Sequence, residues 1–198
     1  MSQQPAFTRA APNERRQSLI EACARVLAQK GAAGVSVRTI CAEAGVSAGL
    51  LRHYFSGVSE AIAETYRWTG NRIDAALLQA VEEAGSDPRA RLLAYVTASF
   101  RPPIASPDLL ATFVAFWSLT RSDAQVAAVH DEVYGQFRAE LQELLLAWKP
   151  CLADPHLAAI ALTALIDGLW LELSLGQAPF SAAEADAFVG KWLDSVAG

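Results

Sequence analysis

The residues with chemistry to offer lie close together, in the run Ser47, Ala48, Gly49, Leu50, Leu51, Arg52, His53 and Tyr54. Three short side chains come first, followed within two helical turns by a guanidinium, an imidazole and a phenol. Such a set lets a backbone approach a broad polyanionic surface and donate hydrogen bonds to it. Arg52 can grip a guanine edge with two bonds or merely hold a phosphate, and only the first selects a base sequence. His53 has three readings: a phosphate donor, a base contact, or an ordinary half-exposed helix residue. Tyr54 either donates its hydroxyl to a phosphate or packs. Leu51 and Phe55 read as core.

Catalytic chemistry is not indicated elsewhere. His53, His130 and His156 are far apart, and no pair has metal-ligand spacing on one helix. There is no glycine-rich phosphate loop and no nucleophile motif, and Cys41 has no evident base. Three cysteines, an odd number with no close pair, suit neither a disulfide framework nor a zinc cluster. The expectation is a protein that is not an enzyme and needs no metal or cofactor.

The run opening at Ser47 must be held by something, and the twenty-one residues 35–55, VSVRTICAEAGVSAGLLRHYF, supply it. Ser36 and Ser47 each follow a valine and each can cap the helix that begins after it. Val37, Ile40, Cys41 and Ala44 recur at helical spacing in the first half; Leu50, Leu51, Tyr54 and Phe55 do so in the second. Gly45 falls where a helix ends in a left-handed residue. Two short helices joined this tightly form a helix-turn-helix. Upstream, Leu19, Ala22, Cys23, Val26 and Leu27 make one stripe of an amphipathic helix over 14–30, with Pro12 just before it, Asn13 as its cap and Gly31 at its end.

Charge separates this region from the rest. The chain has 198 residues, 53% hydrophobic and formally −5. Residues 1–57 hold seven Lys and Arg against three acids, whereas residues 58–198 hold nine against eighteen. A negative total therefore does not exclude a nucleic-acid partner, because the basic part carries the motif. The first twelve residues lack the apolar core of a signal peptide, and the longest apolar run is broken by Asp167 and Glu172. A soluble cytoplasmic protein without a membrane partner is expected.

Beyond the motif the pattern is helical throughout. A long connector helix to about residue 83 has Ile62, Ala63, Tyr66, Ile73, Leu77, Leu78 and Val81 on its inward side. Helices over 89–100, 109–119, 123–148, 156–175 and 181–196 follow, with the loops at 85–88, 101–107 and 149–155. The segment 109–119, with Leu110, Phe113, Val114, Phe116 and Trp117, should be central. The segment 156–175 is apolar on nearly every face and must be covered all round. A second copy of the chain is the expected cover, through Ala158, Ala161, Leu162, Leu165 and Leu169 with Phe188 and Trp192 of the last helix, closing a twofold four-helix interface. A helix simply buried within one subunit is the alternative. The fold class is all-α, about nine helices: a disordered arm at 1–12, a three-helix unit at 13–57 and a larger helical domain at 58–198.

These segments resemble the TetR family of bacterial transcriptional regulators. The likeness rests on residues 19–31 (LIEACARVLAQKG), 35–45 (VSVRTICAEAG) and 46–55 (VSAGLLRHYF). More narrowly, SAGLLRHYF and the later ALIDGLWLELSLG look like the BetI branch, repressors of choline and glycine-betaine pathway genes. The resemblance implies an N-terminal DNA-binding domain and a larger helical domain for ligand binding and dimerisation. It matches Ser47, Ala48, Gly49, Leu50, Arg52 and His53 to the recognition helix, and Tyr54 to an aromatic phosphate contact. Arg38 and Thr39 match positions of the supporting helix that usually reach the DNA backbone. One position departs: where the family commonly has a lysine at the start of the connector, this chain has Val58. That departure implies one phosphate contact fewer and a weaker grip.

A ligand cavity is expected between the connector and the middle helices. The candidates are Tyr66, Trp68, Phe100, Phe113, Phe116, Trp117, Tyr134, Phe137, Asp167 and Trp170. Any of the aromatics can equally be core. Asp167 says more, because a carboxylate in an apolar stretch is costly to bury unpaired. It can pair with a cationic ligand, cap a neighbour, or bond across the dimer. For a quaternary ammonium such as choline, Trp117 and Trp170 would face the cation and Asp167 would balance it. The expected function is a regulator that binds a palindromic double-stranded DNA operator as a homodimer, a repressor released by a small-molecule inducer. An activator of the same fold, or a helical interaction protein with a vestigial DNA-binding unit, is the alternative.

Overall fold

The computed structural model describes residues 12–176 and 179–197. The described residues form nine α-helices and one 3-10 turn: α1 (Pro12–Lys30), the turn (Ala32–Gly34), α2 (Val37–Ala44), α3 (Ala48–Tyr54), α4 (Val58–Glu83), α5 (Pro88–Ala98), α6 (Pro107–Leu119), α7 (Ala124–Trp148), α8 (Pro155–Ser174) and α9 (Ala182–Ala197). This is the expected all-α architecture: a small N-terminal helical unit, a long connector and a larger helical domain. Residues 1–11, most of the expected arm, lie outside the described residues.

Helix starts follow capping chemistry. α1 begins at Pro12, so Asn13 lies inside the first turn rather than capping it; proline suits that place because its missing N–H is one a first turn leaves unbonded anyway. Its stripe Leu19, Ala22, Cys23, Val26 and Leu27 is buried, and Ile20 joins it. Ser36, Asp87, Ser106, Asp123 and Asp154 each accept a first-turn N–H of the helix that follows.

α4 has 26 residues, about 39 Å of helix. Its first half packs on α1, and along its length it meets α5 and α7, so it belongs to both halves of the molecule. Leu77 and Val81, four residues apart on one face, turn inward, whereas Leu78, about 100° further round, is exposed. At Gly70, α4 and α7 touch: a β-carbon there would lie 2.9 Å from a Val133 methyl. α6 is central on one side only, with Phe113 and Phe116 buried and Val114 facing outward.

α8 packs on α6 and α7, and α9 on α5. Among the described residues, five of the seven exposed large hydrophobic side chains belong to this end of the chain: Leu157, Ile160, Leu171, Leu175 and Phe188. By length and composition α8 is apolar enough to cross a membrane, with mean hydropathy 1.6, despite Asp167 and Glu172. Its inner face is nevertheless core, built from Ala159, Leu162, Ile166 and Trp170. Leu162 therefore cannot serve a second copy, since its own subunit leaves it 0% exposed. Ala161 is exposed, and Ala158, Leu165 and Leu169 are half-buried at the margins. On α9, Phe188 is 60% exposed and Trp192 half-buried.

Candidate DNA-contact surface and ligand cavity

The turn between α2 and α3 is set by Gly45, in the left-handed region at φ 66° and ψ 33°, with its N–H returned to Ala42. The Cys41 thiol lies 3.6 Å from the Ser47 carbonyl oxygen and ties the two helices. Burial raises the pKa of this thiol, and likewise pushes that of Cys23 up to about 11, so both stay protonated and act as small apolar groups. The Ser47 hydroxyl accepts the Leu50 N–H, which points the start of α3 outward. Ser47, Ala48, Gly49, Arg52 and His53 are exposed, Leu50 and Tyr54 half-buried, and Leu51 and Phe55 fully inside. The Tyr54 ring meets His53 edge-on at 4.9 Å.

Arg38, at the start of α2, is exposed, and among the described residues neither Arg38 nor Arg52 has an ion-pair partner. Arg25 differs, being paired with Glu43 at 2.6 Å. Thr39 turns inward. Its hydroxyl donates to the Gly34 carbonyl at 2.9 Å and accepts the Ser36 N–H at 2.8 Å, so it builds the α2 cap and has no proton left for a phosphate. Val58 is half-buried against the core. Two residues on, Glu60 accepts the Ser56 N–H at 2.6 Å, a bond that also holds its carboxyl below the usual range. The connector thus begins with a packed valine and, two residues on, an acid.

A chain of charges leads from this unit to the larger domain. The Arg16 guanidinium lies 5.2 Å over the Phe55 ring and pairs with Glu64; Glu64 also pairs with Arg67, and Arg67 reaches Glu132 of α7 at 2.8 Å. Beside it, the Ser59 hydroxyl donates to Asp123, the cap of α7, at 2.8 Å. These links cross α1, α4 and α7, and would have to shift together in any rotation of the DNA-contact unit.

The larger domain holds a cavity of about 70 Å³ between α4, α6, α7 and α8. Phe113, Tyr134, Phe137, Asp167 and Trp170 line it, as the sequence suggested; so do Asn71, Asp74, Ser99, Gln136 and Ile166, which it did not single out. Asp74 carried a legible signal, standing four residues after Gly70 and three before Leu77 on the inward stripe of α4. Tyr66 and Phe116 lie outside the lining as core. Their rings stack at 4.2 Å, and the Tyr66 hydroxyl meets His130 Nδ1 at 2.9 Å. Trp68 stacks under Arg72 in a groove toward α1, and Phe100 is buried against Phe180.

Trp117 belongs to a second groove of about 550 Å³, lined also by His130, Arg138, Ile160, Ala164 and Leu171 and opening on the uncovered side of α8. Tyr134 and Asp167 line both spaces and so form the wall between them. That wall is bonded: Trp117 Nε1 donates to the Tyr134 hydroxyl, which donates to Asp167, each at 3.0 Å. Burial raises the Asp167 carboxyl to about 6, against the pull of the Tyr134 bond and of Arg138. Burial lowers His130, keeping it a neutral partner for Tyr66. The Trp170 indole donates to the Ser99 carbonyl at 2.8 Å, and its ring meets Phe113 edge-on at 5.2 Å. Among the described residues, neither Lys, Arg nor His lines the smaller cavity. Aromatic faces and carboxylates without a base suit a cation.

Comparison with known proteins agrees with this layout. The model for bacterial regulatory proteins of the tetR family matches residues 19–59, and that for the BetI-type transcriptional repressor C-terminal domain matches residues 88–198. The HTH-type transcriptional regulator BetI of Proteus mirabilis is 32% identical over 187 residues, covering 91% of this chain and 90% of that one. A crystal structure described as a candidate transcriptional regulator of Pseudomonas aeruginosa PAO1 superposes with a TM-score of 0.89 at 39% identity, covering 100% of this chain and 97% of that one. A regulator from Saccharomonospora viridis, solved in complex with choline, shares the fold at a TM-score of 0.77 and 20% identity, over 92% and 96% of the two chains. The chain therefore belongs to the TetR family of bacterial transcriptional regulators, with a BetI-type C-terminal domain.

Proposed function

We propose that this protein is a cytoplasmic, homodimeric repressor that leaves its operator when a small organic cation of the choline type enters the larger domain. Residues 13–57 act as the DNA-contact unit and residues 58–198 as sensor and dimer domain. The observation that carries the reading is Asp167, a carboxylate bonded through Tyr134, in an aromatic cavity that no basic residue lines among the described residues. On the DNA side, Arg52, Arg38 and His53 are available to phosphates and base edges, and the short residues 47–49 allow close approach to the major groove. The exposed stripe Leu157, Ile160, Ala164 and Leu171 supports a twofold partner on α8, which would also roof the groove beside Trp117.

Release follows from lack of room. An engineered core cavity of roughly 150 Å³ holds benzene, whereas this one has about 70 Å³. A choline-sized cation must therefore push its walls apart, and α4 and α7 have no slack where Gly70 meets Val133. Movement of α4 would change the spacing of the two recognition helices, which must stay about 34 Å apart to match successive major grooves. Fluorescence anisotropy with duplex DNA from upstream of the protein's own gene tests this. Choline is expected to release bound DNA, and saturating DNA to weaken choline binding by the same factor. Equal choline affinity with and without DNA would refute the mechanism. Packed Val58 and the acid at Glu60 favour the vestigial alternative, which predicts no salt-dependent binding to any duplex.

A further inference from the structure

The cavity has two acidic ends. Asp167 marks the inner one. Asp74, on α4, marks the other, beside Asn71 and Gln136, which are exposed and form the mouth. The two carboxylates are reached from α7 by different side chains: Tyr134 donates to Asp167 at 3.0 Å, and the Gln136 amide donates to Asp74 at 3.2 Å. Both acids line the one cavity, Asp74 from α4 and Asp167 from α8, and each is held by a different residue of α7. Asp74 has no ion-pair partner among the described residues, and burial raises its carboxyl.

The outer end is more negative than one aspartate makes it. Glu140 lies near enough to Asp74 for burial together with the Glu143 and Asp74 charges to raise its own carboxyl. Behind Phe137, the Tyr95 ring stacks at 5.5 Å and is fully buried, yet its phenolic oxygen has no hydrogen-bond partner among the described residues. Burial raises that phenol, and the Asp74 and Glu140 charges raise it further, which places it at the same negative end. An orphaned buried hydroxyl is costly to retain, and here it feels the charges of Asp74 and Glu140, neither of which has an ion-pair partner among the described residues. A ligand bearing one charge would answer Asp167 and leave this end uncompensated.

We infer that the site takes an aliphatic cation charged at both ends, an α,ω-diammonium, with one ammonium at Asp167 and Tyr134, the second at Asp74 and Gln136, and the methylene chain against Phe113, Phe137 and Trp170. This inference rests on the cation-sensor reading and narrows it. Choline, with a single charge, answers only one of the two carboxylates.

Calorimetry on the full-length protein at pH 7.5 tests this with 1,3-diaminopropane, putrescine and cadaverine, the equal-length monoamines, and choline. The best diammonium is expected to bind at least tenfold tighter than its monoamine. Asp74→Asn should abolish that preference while leaving monoamine affinity within about twofold; Asp167→Asn should weaken both. Circular dichroism of each variant guards against misfolding, and Gln136→Ala, at an exposed position, gives an independent and smaller loss of the same preference. Equal binding of diammonium and monoamine, or an Asp74→Asn loss shared by both, overturns the inference. Asp167-dependent choline binding without diammonium preference leaves the cation-sensor reading standing; binding of no cation at all removes both.

Discussion

Replacing Asp167 by asparagine should make the empty protein more stable at neutral pH, although the residue is proposed to be functional. Burial raises its carboxyl from 3.8 to about 6. Between those values the unfolded chain has lost this proton and the folded chain keeps it, so stability is greatest below pH 4 and declines as pH rises through 6. Two pH units correspond to about 3 kcal/mol. Asp167 is only half-buried, and screening by solvent reduces this to about 2 kcal/mol. Asparagine keeps an oxygen for the Tyr134 hydroxyl, so that bond survives while the buried charge goes. For a chain of this size the expected gain is about 4–8 °C in melting temperature at pH 7.5, vanishing near pH 4. Thermal melts of wild type and Asp167→Asn, by circular dichroism across pH 4–8, measure it. A variant no more stable than wild type at pH 7.5, or a difference that does not change with pH, would refute the idea that an uncompensated charge waits there.

The same group predicts ligand behaviour: protonation at pH 5 should weaken binding of a cation about tenfold relative to pH 7.5 when calorimetry compares the two, because a carboxyl titrating near 6 is then mostly neutral. Gly70→Ala should lower the melting temperature by about 2–6 °C, since the new methyl meets a stiff, β-branched Val133 at 2.9 Å; a Gly70→Ala, Val133→Ala double variant should recover most of the loss. Arg38→Ala and Arg52→Ala should each weaken operator binding and reduce its salt slope by about 1 if each holds a phosphate, and a change in base preference on Arg52→Ala alone would mark it as the base reader. Phe188→Asp together with Leu171→Asp should give a monomer of unchanged helicity in analytical ultracentrifugation, both side chains being exposed in the single chain.

The helices were the most legible part of this protein, because they depend on near neighbours. Ser36 and Ser47 cap as expected, Gly45 ends α2 in the left-handed region, and the α1 stripe is buried residue for residue. The differences are instructive at single positions. Thr39 looked like a phosphate ligand by its place in the family pattern, but it stands three residues after Ser36, and the capping box claims its hydroxyl. Leu162 looked like part of the α8 contact face, but it lies on the inner side of a helix whose apolar residues run all round. Periodicity cannot orient such a helix, since it offers no polar side to point outward.

The cavity shows the same division. Its aromatic and acidic character could be read from Phe113, Tyr134, Phe137, Asp167 and Trp170, because a carboxylate among apolar residues is conspicuous in one dimension. Which aromatics face the space could not: Tyr66 and Phe116 stack in the core, while Trp117 serves the neighbouring groove. Asp74 and Gln136 belong to helices sixty residues apart in the chain, and only packing α4 against α7 makes them one end of a site. Sequence alone thus determined the helices, their caps and the basic run from Ser47 to Tyr54, all set by interactions a few residues long. Tertiary structure decided which faces are spent on the core and which carboxylates share a cavity, because burial and electrostatic environment are properties of the packed whole.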